Sequence, residues 1–336
     1  MAKKVIKQKF TPDISVIVAM YNAENFIAEC LQSLLNQTLK NIEVIVVDDC
    51  SIDNSVAVVK NFSDERLTLI KTSRNSGYPG FPRNAALTSA RGKYITFVDS
   101  DDFLDNDALE KLFTAAENFN ADVVHVEKCF TLKDGETLIE STQENFVEVP
   151  TLETDDIRKR VIDFTNKKYL WWACNKLFRR DFLTKNNIKF AAMTTYEDLI
   201  FTFQCVISAK NYLRVPYNFY HYRIRNDSLS RKSTDGIEIA KNLIEAVKVL
   251  DKFMVARKFF IDNPNCRYAV LDFFIPNQLE KVAQNLMVFN NFSVAEVYAF
   301  FAKEIFSLKP NENVALTSYL FVTAGLYKIF LNHSKN

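Results

Sequence analysis

The sequence predicts an α/β fold, a mostly parallel sheet with helices on both faces, followed by a helical C-terminal region. Three observations predict it. Short β-branched runs recur through the first 130 residues, separated by segments with apolar residues at helical spacing. The runs are apolar at nearly every position, as strands buried on both faces are. Past residue 230 only helical spacing remains.

Ile14 to Ala19 reads as a first buried strand, and Phe26, Ile27, Cys30, Leu31, Leu34 and Leu35 then trace one face of a helix. Ile42 to Val47 is a second strand, and "NSVAVVKNF" a helix with Asn54 or Ser55 as its cap. "LTLIK" from Leu67 is a third strand, and "FPRNAALTSA" a short helix with Pro82 in its first turn. "YITFV" is the fourth strand, "DALEKLFTAAENF" a helix and "ADVVHVE" a fifth strand. A β-α-β-α order implies parallel strands joined by crossover helices. Near the C-terminus, helical spacing covers Ile237 to Val255, about Arg267 to Asn290, Val294 to Phe306 and about Val314 to Leu331.

Bulk properties exclude several classes. The chain has 336 residues and a net charge of +1, so no polyanion-binding excess points to nucleic acid. The six cysteines form no C-x-x-C pair, which excludes the commonest zinc and redox motifs and fits reduced, cytoplasmic usage. The basic start "MAKKVIKQKF" lacks the apolar core of a signal peptide, and no apolar run is long enough to span a bilayer.

The segments at the strand ends carry the chemistry. Met20-Tyr21-Asn22 comes after the first strand, "DDCSIDNS" after the second and "DSDD" after the fourth. In a parallel sheet these segments share one edge, where ligands of such sheets bind. Carboxylates crowded there are tolerable beside a divalent cation, and all-oxygen ligands suit Mg²⁺ or Mn²⁺ rather than zinc. Asp-Asp after a strand also serves as a turn or helix cap. "DSDDFLDND" lacks the glycine and the final glutamate of an EF-hand, and neither a dinucleotide fingerprint nor a P-loop is present.

The stretches "SVIVAMYNAENFIAECLQSLLNQT", "EVIVVDDCSIDNS", "NSGYPGFPRNAAL" and "ARGKYITFVDSDDFL" together resemble family 2 glycosyltransferases of the bacterial surface-glycan type, with the GT-A fold. A looser likeness continues through "WWACNKLFRRDFL", "YEDLIF" and "YHYRIRNDSLS". Met20, Cys50 and Pro82 depart from the common pattern. The resemblance implies a catalytic domain over residues 1–230, with a nucleotide-sugar half at about 10–130 and an acceptor half at about 131–230. Residues 231–336 form the helical region.

The resemblance also implies roles. The donor is a UDP-sugar, with Asp49 accepting from uracil N3–H and Ala19, Tyr21, Asn22 and Ser51 beside the uridine. Asp99-Ser100-Asp101 matches the D-x-D signature, with Asp101 as direct metal ligand and Asp99 at the ribose or a metal-bound water. Asp102 is assigned to the sugar or to support behind the metal. Arg83 pairs with a phosphate or a neighbouring carboxylate, with a helix-surface charge as its alternative, and Arg223 and Arg225, in one segment with Ser228 and Ser230, clamp the diphosphate. His221 is either a metal ligand or a strand residue. Trp171 and Trp172 offer an acceptor platform, alternation along a strand sending one of them into the core, and Lys176 reaches phosphate or a carboxylate. Asp198 is the base that takes the acceptor hydroxyl's proton, and Glu197 is the second candidate for that base or a group that orients it or binds the acceptor, with helix N-terminal acids as the alternative for the pair.

The implied reaction transfers a hexose or N-acetylhexosamine, with inversion and with Mn²⁺ or Mg²⁺, to a glycan or lipid-linked glycan in surface polysaccharide, lipooligosaccharide or capsule synthesis. A cytoplasmic protein is expected, at the inner face of the membrane if the apolar tail near Val314 is interfacial. That tail otherwise packs on the catalytic domain or joins copies of the chain. The rival readings are a catalytically silent glycan-binding or assembly subunit and a sugar nucleotidyltransferase. The latter lacks its usual glycine-rich loop here.

Overall fold

A computed structural model describes residues 11–133, 136–140, 146–224 and 235–306. The strands are β1 (Ile14–Met20), β2 (Ile42–Asp48), β3 (Leu67–Lys71), β4 (Tyr94–Asp99), β5 (Phe103–Leu104), β6 (Val123–Lys133), β7 (Glu136–Glu140), β8 (Thr151–Leu152), β9 (Lys176–Arg179) and β10 (Tyr212–Arg223). The helices of the first part are α1 (Ile27–Leu35), α2 (Ser55–Lys60), α3 (Gly80–Ser89) and α4 (Ala108–Asn118). They are followed by α5 (Ile157–Thr165), α6 (Arg180–Lys185), α7 (Glu197–Ser208), α8 (Gly236–Val255), α9 (Lys258–Asp262), α10 (Pro264–Phe289) and α11 (Val294–Phe306). The described residues divide into two compact units, those within 1–153, 173–188 and 209–223 in the first and those within 154–172, 189–208 and 224–336 in the second. The helical unit therefore takes in two stretches that precede residue 230.

The first unit carries the sheet, in the order β3-β2-β1-β4-β9-β6-β10-β5, with β7 on β6 and β8 on β10. β3, β2, β1 and β4 are mutually parallel, as the buried runs predict. β9 enters antiparallel between β4 and β6, so the sheet is mixed beyond β4. Ile14, Val16, Ile17 and Val18 of β1 and Ile42, Val44, Val46 and Val47 of β2 are fully or almost fully buried, which is why β1 runs at the centre of the parallel part. At the amino ends of these strands, Glu43 binds Ser15 Oγ and the Arg91 backbone and guanidinium, and Ser15 Oγ accepts from Gly92 N. A Cβ on Gly92 would strike the Ser15 backbone nitrogen, so this close approach requires glycine.

The second unit is helical, and phenylalanines fill it. Phe203 of α7 packs edge-on against Phe164 of α5, with ring centroids 5.0 Å apart, and lies 5.8 Å from Phe253 of α8. Arg160 is buried here because Nη1 donates to Val206 O at 2.9 Å and Nε to Thr154 O. Asp251 of α8 takes both ends of Arg267 from α10, a bidentate pair at 2.5 and 2.8 Å. α10 runs through Pro276 without ending. Among the described residues, no helix is long and apolar enough to cross a membrane. The helix expected at about Val314 to Leu331 lies outside the described residues.

Candidate active site

The register of the parallel strands builds the site. Met20 at the end of β1 stands beside Asp48 of β2, and Ala19 stands beside Asp99 of β4. The acidic ends of β2 and β4 therefore flank the end of β1 at the point where the strand order reverses, the ligand position of open parallel sheets.

The loops after β1 and β2 are zipped together. Asn22, in the left-handed region at φ 49°, donates its N–H to Ser51 Oγ at 3.0 Å and accepts Ile52 N–H on Oδ1 at 2.9 Å. Ala23 N–H donates to Ser55 Oγ, and Glu24 N–H to Asp53. Tyr21, at the start of this loop, is 47% exposed. Asp49 itself is buried: its N–H bonds Met20 O, Oδ1 accepts Thr72 Oγ1 at 2.9 Å, and Oδ2 accepts Ser76 N–H and Oγ–H at 2.8 and 2.7 Å. A carboxylate offers about four lone-pair directions, so these three bonds leave capacity for one more donor. Cys50 holds φ 64°, a backbone suited to glycine, and its Sγ bonds Thr72 O.

The turn after β4 is pinned from several sides. Arg83 Nη2, buried on α3, donates to Asp99 Oδ1 at 2.7 Å and lies 3.5 Å from Cys174 Sγ. Arg83 is thus a buried carboxylate partner, and the helix-surface reading does not hold. Cys30 Sγ donates to Asp99 O. Asp102 is 2% exposed, with Oδ2 accepting Tyr220 Oη–H at 2.7 Å and Oδ1 accepting Arg223 N–H at 2.8 Å. Burial first, then the Asp99 and Asp101 carboxylates, raise its pKa well above the usual carboxylate range. Asp102 therefore supports the turn from behind and presents no surface to a sugar. Ser100 is buried, and Asp101 is half-buried at the apex.

Two further expectations change with the structure, and the alternative left open at His221 is decided. Arg223, assigned to the diphosphate, donates from Nε to Asp101 O at 3.0 Å and from Nη2 to Glu29, so it braces the turn. Lys176, assigned to phosphate or a carboxylate, is 1% exposed, and its ammonium donates to Asn175 Oδ1 at 2.6 Å. His221 is a strand residue: its ring stacks between Phe103 and Phe130, at centroid distances of 4.3 and 4.7 Å, and Nε2 meets Asp105 at 2.8 Å. Among the described residues, no three metal-ligating side chains gather in one place.

In the second unit, Glu197 and Asp198 open α7, with Glu197 buried and Asp198 half-buried. Tyr196 precedes them at φ 73°, and its carbonyl accepts the first helical bond, from Ile200 N–H. Trp171 turns inward, edge-on to Phe273 at 6.2 Å, whereas Trp172 is 40% exposed. Arg225, Ser228 and Ser230 lie outside the described residues. Sequence reasoning missed Cys30, Thr72, Ser76, Tyr220 and Glu29. Glu29, Cys30, Ser76 and Tyr220 all lie inside the quoted motif stretches but were given no role in the site there, and Thr72 lies outside them.

The Glycosyl transferase family 2 profile matches residues 15–185, half of the chain. The chain belongs to glycosyl transferase family 2. It is 32% identical over 220 residues to the poly(ribitol-phosphate) beta-glucosyltransferase of Bacillus spizizenii, a match covering 64% of this chain and 32% of that protein. It is 31% identical over 221 residues to the succinoglycan biosynthesis protein ExoO of Rhizobium meliloti, covering 66% of this chain and 63% of that one. The chain thus spans less than two thirds of the length of either relative. Its fold is that of Staphylococcus aureus TarS residues 1–349, solved in complex with UDP-GlcNAc, with a TM-score of 0.60, 21% identity and coverage of 93% of this chain and 91% of that one. The likeness confirms the GT-A architecture.

Proposed function

We propose that this family 2 member transfers a hexose or N-acetylhexosamine from a UDP-sugar to a glycan acceptor in bacterial surface-polysaccharide synthesis, with inversion at the anomeric carbon. The observation that carries the reading is the register: β1 ends between the acidic ends of β2 and β4. A beta-glucosyltransferase among the relatives and UDP-GlcNAc in the TarS complex support the donor class.

In this reading Asp49 uses its remaining lone pair for uracil N3–H, which would leave a cytosine ring facing an acceptor with no proton. The exposed Tyr21 ring stacks on the base. Asp99 and Asp101 are the ligands of Mn²⁺ or Mg²⁺. Two carboxylates fit a hard cation that keeps waters and takes its other ligands from substrate phosphates, and they do not amount to a complete protein cage. When bound, the cation neutralises the diphosphate and stabilises the charge left on UDP. Arg83 compensates one Asp99 oxygen and fixes the carboxylate's direction. Asp198 accepts the proton of the acceptor hydroxyl as that oxygen attacks the anomeric carbon opposite the diphosphate. The exposed Trp172 ring offers a face for sugar C–H groups. A panel of UDP-sugars and acceptor glycans tests the reading: transfer from UDP-glucose or UDP-GlcNAc with release of UDP is expected. UDP release from none of the panel, with Mn²⁺ present, would refute it.

A further inference from the structure

We propose that Tyr220 and Arg223, at the end of β10, are positioning residues that hold the β4 turn in its ligating shape, and that Glu29 on α1 anchors Arg223 in that role. The inference rests on the proposed donor role of Asp99 and Asp101. One hydroxyl does two jobs in this arrangement. Tyr220 Oη accepts the Asp99 N–H at 3.3 Å and donates to Asp102 Oδ2 at 2.7 Å. It therefore fixes the backbone on one side of Asp101 to a side chain on the other. Tyr220 is 4% exposed, so water does not replace those bonds freely when the hydroxyl is lost.

Arg223 closes the frame from the same strand. Its N–H donates to Asp102 Oδ1, and its Nε donates to the carbonyl of Asp101. The guanidinium plane lies 5.2 Å from the Phe26 ring and 5.7 Å from Phe103, and Nη2 is held by Glu29. Directly after the turn, β5 pairs antiparallel with β10, Leu104 opposite Tyr220 and Phe103 opposite His221. The segment entering and the segment leaving Asp101 are thus both referenced to one strand more than 100 residues away in sequence. A carboxylate that must meet a cation and two phosphates in one geometry gains from such a frame, because outer partners of metal ligands set affinity by orienting them.

The frame makes a specific demand on binding. Calorimetric titration of UDP into the full chain, once with Mn²⁺ and once with excess chelator, reads the two affinities separately. Tyr220→Phe, isosteric except for the hydroxyl, is expected to weaken the Mn²⁺-dependent affinity about 10–100-fold and leave the metal-free affinity unchanged. Glu29→Gln, at the exposed end of the frame, is expected to weaken it in the same direction by less. Asp102→Asn still offers an acceptor to Arg223 N–H and is expected to lose less than Tyr220→Phe. A merely structural role would lower the melting temperature and both affinities alike. A folded Tyr220→Phe with Mn²⁺-dependent affinity within twofold of wild type overturns the proposal. Where Tyr220→Phe does not fold, a wild-type affinity for Glu29→Gln overturns it. Wild-type protein that shows no effect of Mn²⁺ on UDP binding removes the donor reading, and this proposal with it.

Discussion

Arg83 and Asp99 are expected to be energetically coupled, and a double-mutant cycle measures by how much. The perturbations are Arg83→Met, Asp99→Asn and both together. Arg83 is 3% exposed and its Nη2 reaches Asp99 Oδ1 at 2.7 Å, whereas the Asp99 side chain is 37% exposed. A hydrogen bond between charged groups contributes about 1.5–3 kcal/mol. An exposed ion pair contributes about 0–1 kcal/mol. Because water reaches the Asp99 end, the expected coupling lies at the low end of the first range, about 1.5–2 kcal/mol. Arg83→Met also removes the guanidinium from the Phe97 ring, 5.9 Å away, so the single-variant cost mixes several contacts and only the cycle isolates the pair. Urea unfolding of the four proteins gives the coupling directly. A value under about 0.5 kcal/mol would mean that the bond in this structure contributes no more than a solvated surface pair, and the account of a compensated Asp99 would fail.

Three other outcomes are expected. Ser15 and Arg91 bonds to Glu43 outweigh its burial and hold its pKa below the usual 4.5; a folded pKa lower than the unfolded one gives stability that is present above the unfolded value and lost as pH falls through the folded one, so the melting temperature should drop below about pH 4.5, and less so in Glu43→Gln. Cys50→Gly should raise stability by about 0.5–1 kcal/mol, because a left-handed backbone at φ 64° strains any residue with a Cβ; unchanged or lower urea resistance would count against that reading. Asp198→Asn should cut single-turnover transfer about 10²–10⁴-fold with UDP affinity retained, and transfer at the wild-type rate would exclude Asp198 as the base.

The parallel half of the fold was legible because its signal is local. Ile14–Met20 and Ile42–Asp48 are buried along their length, and a continuous β-branched run between helical segments is rarely anything but a buried strand. The acidic strand ends were legible for the same reason, since a parallel sheet places them on one edge. β9 was not, because "KLFR" is four residues long and its antiparallel entry between β4 and β6 depends on partners far away in the chain. The partners of the D-x-D turn were hidden similarly. Asp102 stays open between a sugar contact and support behind the metal until Tyr220, 118 residues later, is placed against it. Lys176 beside two tryptophans looked like a ligand-binding cation, and only the sheet shows its ammonium directed inward to Asn175. Arg83 was ambiguous between surface and pair, and its place on α3 decided for the pair.

The central claim is that the ends of β1, β2 and β4 bind a nucleoside diphosphate together with a divalent cation. The most direct test is the affinity of UDP for the wild-type chain and for Asp101→Ala, measured with Mn²⁺ and again with excess chelator. The account predicts tight binding only for wild type with Mn²⁺, and a rise in melting temperature under that condition alone. Equal UDP affinity in Mn²⁺ and in chelator, or an Asp101→Ala protein that keeps the Mn²⁺ effect, would contradict it.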